Sequence, residues 1–148
     1  MAPDKPLKSI ILPPRTILMP TATFSAIITY EHVAEISSWI DCKSSPYSLT
    51  KIPYEFQLIL RGSTTPQTFW DTCRGHANTV VIIKVKETEE ILGGYNPLVW
   101  DSNAADAGDG GSWEKTDDSF TFSLKNGNIQ NSILSKVKNR DSAIWNAN

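Results

Sequence analysis

Asp71, Cys73 and His76 place a carboxylate, a thiol and an imidazole close together in the chain, the ingredients of a cysteine nucleophile with a base and an orienting acid. Such chemistry needs the three groups to converge in space and the thiol to be acidified. Their local context predicts otherwise. Thr65-Pro66 reads as a helix start, with threonine as N-cap and proline in the first turn, and Gly75 as the stop. On that helix Asp71 and Cys73 lie two residues apart and point to different sides. Cys73 also falls at apolar spacing from Phe69 and Trp70. A packed thiol is the expectation, with a redox-active Cys73 as the competing reading. No catalytic residue is assigned, and the chain is not expected to be an enzyme.

Metal chemistry finds no better footing. His32 and His76 are the only histidines, and neither sits in a Cys-x-x-Cys or His-x-x-x-His frame. Asp101, Asn103, Asp106 and Asp109 space themselves like a calcium loop. Asp106, however, stands where an EF-hand needs glycine, and Ser112 stands at the closing position that needs glutamate. An exposed acidic loop follows. Gly93-Gly94 lacks the lysine and serine or threonine of a phosphate loop and reads as a place where a strand bends or another backbone comes close. Neither a cofactor nor a metal is expected. Trp100 and Trp113 flank the acidic loop, either as an interaction anchor or, as the stronger expectation, buried over a sheet edge.

The bulk composition narrows the class. With 148 residues, 40% hydrophobic and 20% charged, the chain suits one globular domain and not wholesale disorder. A net charge of −2 gives no electrostatic case for nucleic acid. Lys125, Lys136, Lys138 and Arg140 occur with no acid between them, which a solvated face explains. Cys42 and Cys73 are too few for a disulfide framework. The apolar run at residues 80–83 is far too short to span a bilayer, and no signal-peptide pattern opens the chain. A cytoplasmic protein is the default expectation, with a nuclear one next, and no membrane insertion.

Residues 79–95, TVVIIKVKETEEILGGY, are the most informative stretch: an apolar run, a charged turn, a second apolar run and a Gly-Gly-aromatic stop. That pattern predicts two paired strands in a mostly buried sheet. Tyr54, Phe56, Leu58 and Leu60 alternate as in a further strand, as do Phe120, Phe122 and Leu124 before Asn126-Gly127. Val33, Ile36, Trp39 and Ile40 share one helical face, with Glu31 in the first turn; that helix is expected to end near residues 44–46. Ile129, Ile133, Leu134 and Val137 fit a helix, or a helix followed by a strand. Ahead of all this, Pro3, Pro6, Pro13, Pro14 and Pro20 make residues 1–23 a semi-rigid linker, with ILPPRT and ILMPTAT as a short degenerate repeat. A proline-rich ligand for an aromatic groove is the alternative there. The architecture expected is α+β: mostly antiparallel, sandwich-like sheets flanked by short helices.

Five blocks in order carry a resemblance. They are EFQLILRGS at residues 55–63, FWDTC at 69–73, NTVVIIK at 78–84, EILGGYNP at 90–97 running on to Trp100, and DSFTFSL at 118–124. Together they resemble the TLDc domain family, in particular the divergent copies of fungal proteins that also carry BTB or kelch modules. The resemblance runs over residues 24–148, behind the proline-rich linker. Two departures stand out. The turn at Ser63-Thr64-Thr65-Pro66 is shorter than the family's, and the chain ends at Asn148 where the family continues into further sheet and a Gly-rich closing segment.

The resemblance implies a non-catalytic protein-interaction domain, linked to the oxidative-stress response and, through some members, to the vacuolar proton pump (V-ATPase). A protein partner is therefore expected, V-ATPase subunits among the candidates. The family offers no catalytic set to carry over, and Gly93, Gly94, Tyr95 and Trp100 match as structural positions. The early end implies a fold incomplete at the C-terminus, with unpaired edges and exposed apolar surface. A degenerate fragment without activity of its own is the blander expectation.

Overall fold

The computed structural model describes residues 25–62, 65–101 and 111–147. The expected linker lies outside the described residues, as do Ser63, Thr64 and most of the acidic loop. Among the described residues two helices, α1 (Tyr30–Ile40) and α2 (Pro66–Cys73), accompany six strands. These are β1 (Thr79–Lys84), β2 (Ile91–Asn96), β3 (Gly111–Glu114), β4 (Phe120–Leu124), β5 (Ile133–Lys136) and β6 (Ile144–Ala147), with a 3-10 turn at Arg140–Ser142. The main sheet has the order β1-β2-β4-β5, and β3 and β6 form a separate ribbon. Every pairing is antiparallel, so the α+β expectation holds.

Pleating divides the main sheet into two unlike faces. Ile91 and Tyr95 of β2 and Phe120, Phe122 and Leu124 of β4 point one way, and all are buried with Val33 and Ile36 of α1. Trp39 seals that layer, its ring 5.6 Å from Phe122 and 6.2 Å from Phe120. Burying a side chain such as Ile36, Ile91 or Leu124 contributes about 1.5–3 kcal/mol. This layer is the core.

The caps explain where α1 begins and ends. Thr29 closes its start, with His32 N–H donating to the threonine hydroxyl and Thr29 N–H donating to His32 Nδ1. The end falls at Ile40, several residues before the expected 44–46. There Lys43 N–H reaches Ser38 O (2.8 Å) and Cys42 N–H reaches Trp39 O (3.1 Å), the Schellman pattern. Cys42 occupies the left-handed position of that motif at φ 54°. Glycine is the usual occupant, so a cysteine there hides the stop from sequence reading.

Three further expectations need correction. Residues 54–60 form no strand: Ile52 and Phe56 lie against the core, while Leu58 is 55% exposed. Residues 129–137 hold no helix; Ile133–Lys136 is strand β5, paired antiparallel with β4, because Leu134 faces Phe122 across the ladder and takes up its place beside the core. β1 is not in a buried position. It is the open edge of the sheet, and half of it faces solvent.

Candidate docking surface

The face of the main sheet turned away from α1 carries Thr79, Val81 and Ile83 from β1, Leu92, Gly94 and Asn96 from β2, Thr121 and Ser123 from β4, and Ile133 and Ser135 from β5. None of these side chains is ionisable. Four large apolar ones are open to solvent: Val81 at 43%, Ile83 at 56%, Leu92 at 38% and Ile133 at 62%. This face of the sheet therefore leaves apolar side chains in water with no ionisable strand residue among them.

One end of this face deepens into a cleft of about 340 Å³. Gly94, Thr121, Trp100, Val137 and Ile144 line it, together with Lys136 at the end of β5. Trp100 is held there by three bonds. Its indole Nε1 donates to Thr79 Oγ1 (2.8 Å), its backbone N–H donates to His76 O (3.2 Å), and its carbonyl accepts from Gly75 N (3.0 Å). The ring also closes an aromatic cluster with Phe69 (5.2 Å) and Trp70 (6.3 Å) of α2. The helix that carries Asp71 and Cys73 therefore serves to seat Trp100. Asn96 borders the cleft with its Oδ1 accepting from Leu98 N–H (2.8 Å) and its Nδ2 buried without a partner among the described residues.

The paired glycines part company here. A Cβ on Gly93 would lie 2.3 Å from the Phe122 ring and 2.5 Å from Val81 O. A Cβ on Gly94 would meet nothing nearer than Phe120 O at 3.5 Å. The close approach expected of this pair belongs to Gly93, on the core side.

The other singled-out residues spread apart by environment. Asp71 is exposed and accepts from Gln67 Nε2 (2.7 Å), Cys73 is buried, and His76 is exposed. Burial pushes the Cys73 thiol up, away from thiolate. His32 is buried and structural, its Nε2 2.7 Å from Lys125 O. Cys42, the exposed thiol, has Lys136 Nζ 3.8 Å away. Of the calcium-like loop, Asn103, Asp106 and Asp109 lie outside the described residues; among the described residues no cluster of metal-ligating side chains occurs.

Trp100 and Trp113 have different fates. Burial is expected of both; Trp100 is half-buried, whereas Trp113 is 52% exposed and stacks edge-on with Trp145 of β6 at 5.1 Å. Their ribbon turns Asn146 inward and leaves the two indoles outside. Sequence reasoning missed the neutral sheet face. Its one signal lay in Val81 and Ile83, which alternate with Val80 and Ile82 and so share the opposite face of the strand.

The model of the TLDc domain family matches residues 21–147. The chain belongs to the TLDc family. No curated protein and no solved structure matches it. The two helices and the antiparallel sheets above are thus the architecture of a TLDc-family chain. The matched span includes the whole neutral face, the cleft and the Trp113–Trp145 pair. Among the described residues no helix is long and apolar enough to cross a membrane.

Proposed function

We propose that this TLDc-family chain is a non-catalytic protein-interaction domain that docks a partner on the neutral face of its main sheet. One observation carries the reading. Ile83, Leu92 and Ile133 stand exposed on a face without ionisable side chains, beside a cleft that Trp100 lines. Apolar groups left in water by a domain with a well-filled core favour association with another protein. The buried, thiol-protonated state of Cys73 weighs against a redox mechanism at that residue.

Membership in the TLDc family supports a role in the oxidative-stress response and makes V-ATPase subunits the first partners to test. The purified chain is immobilised and presented with isolated V-ATPase. The expected result is retention by the chain and loss of retention by Ile133→Lys, which sets a charge on the exposed face without touching the core. A folded, soluble chain that retains neither V-ATPase nor any other specific protein would count against the proposal.

A further inference from the structure

β1 is an edge strand with little to guard it. Its inner side is occupied by the ladder from Thr79↔Asn96 to Lys84↔Ile91. On its outer side the backbone groups of Thr79–Lys84 make no hydrogen bond to any described residue. Edge strands in soluble proteins are normally blunted by proline, a bulge or a charge placed within the strand. The other edge of this sheet follows that practice, since β5 is short, ends in Lys136 and is followed by Lys138. β1 does not. Its sequence TVVIIK is β-branched from Thr79 through Ile83, and its lone charge stands at the last position.

We propose that β1 pairs antiparallel with β1 of a second copy of this chain, about a two-fold axis at Val81, joining two four-stranded sheets into one. The strand is self-complementary in that register. Thr79 faces Ile83 of the other copy, Val80 faces Ile82, and Val81 faces Val81, so each contact is between β-branched side chains. Lys84 falls opposite Asn78, and the two copies present no like charges to each other. A register centred on Ile82 would instead set Lys84 against Val80 on the side that holds α1, which argues for Val81 as the centre. An axis perpendicular to the sheet keeps both neutral faces on the same side, so Val81 and Ile83 of the two copies merge into one apolar strip. The pairing stands on the strand edge alone and does not depend on the partner reading above.

The test is sedimentation of the full chain from micromolar to millimolar concentration, with no other protein present. A concentration-dependent dimer is expected, together with protection of the outward-facing amides of Val80, Ile82 and Lys84 from hydrogen exchange that grows with concentration. Val81→Lys sets two ammonium groups face to face at the axis, while in the monomer the same side chain is solvent-exposed and the fold is kept, as circular dichroism will show. It should weaken the dimer about tenfold or more. Mixing Val81→Lys with Val81→Glu should restore it as a heterodimer. A chain monomeric throughout, a dimer indifferent to Val81→Lys, or outward-facing amides of β1 (Val80, Ile82 and Lys84) equally protected in the dilute monomer would each overturn the proposal. The last outcome would mean that another part of the same chain covers the edge. Failure here leaves the V-ATPase retention experiment unaffected, so the two readings are judged separately.

Discussion

Tyr54 donates its hydroxyl hydrogen bond to Asp41 Oδ1 at 2.5 Å, tying the C-cap of α1 to the stretch that alternates like a strand. Tyr47 donates to the other carboxylate oxygen, also at 2.5 Å. A carboxylate at a helix C-terminus opposes the helix dipole, and two phenolic donors offset that. Tyr47 and then Tyr54 hold the Asp41 carboxyl below its usual range. The same bonds push Tyr47 up and Tyr54 up to about 12, with burial adding to each.

These shifts give the cluster a pH window. Asp41 is depressed in the fold, so its contribution is present above the unfolded carboxylate value, about 4, and is lost as pH falls through its lower folded value. The tyrosines are raised, so theirs is complete below the unfolded phenol value, about 10, and is lost as pH rises through the folded value, about 12 for Tyr54. Stability from this cluster is therefore greatest between pH ~4 and ~10. An ultraviolet titration of phenolate should show a tyrosine ionising near 12, and Asp41→Asn should move it down toward the ordinary value. An unchanged titration in Asp41→Asn would mean that the carboxylate does not hold the ring.

Adjacent glycines should respond oppositely to the same methyl group. Gly93→Ala drives a Cβ into the buried Phe122 ring and the Val81 carbonyl and should cost about 1–3 kcal/mol, or more where the ring cannot move. Gly94→Ala meets only ordinary contacts and should leave stability within ~0.5 kcal/mol. Urea unfolding of both variants decides this, and equal losses would refute the assignment of the close approach to Gly93.

His32 joins the start of α1 to the residue after β4. Thr29 N–H donates to its Nδ1, which leaves the ring proton on Nε2 to donate to Lys125 O. His32→Leu removes both partnerships from a buried position and should cost about 1–3 kcal/mol. Nitrogen-15 spectra of the imidazole should show the Nε2–H tautomer. Finding the proton on Nδ1 would break this account of the cap.

Cys42→Gly should stabilise the chain by roughly 0.5–1 kcal/mol, because it relieves a side chain held at φ 54° while keeping the Schellman bonds. Thermal unfolding reads the sign directly; a lower midpoint would show that the thiol makes a contact worth more than the strain.

The two thiols should label at different rates. Cys42 is exposed and should react with a thiol reagent in the native state, whereas Cys73 should react only once the chain is unfolded. Mass mapping of the labelled peptides separates them. Native-state labelling of Cys73 would reopen the redox reading.

Local chemistry by itself determined much of this protein. Thr65-Pro66 and Gly75 delimit α2 because a hydroxyl acceptor, a missing N–H and a positive φ are properties of single residues. The β1–β2 hairpin follows from two apolar runs about a charged turn, β4 from period-two alternation, and the order of five blocks carries the family. The neighbours of each strand were decided only by the tertiary structure. Tyr54, Phe56, Leu58 and Leu60 alternate as well as β4 does, yet they gain no ladder, because alternation says which way side chains point and not whether another backbone arrives to pair. Ile133 and Leu134 join a sheet for the converse reason: Phe122 needed a neighbour across the ladder. The neutral sheet face belongs to the same class. Val81 and Ile83 look like core residues in the sequence, and only the placement of α1 on one side of the sheet leaves them facing water.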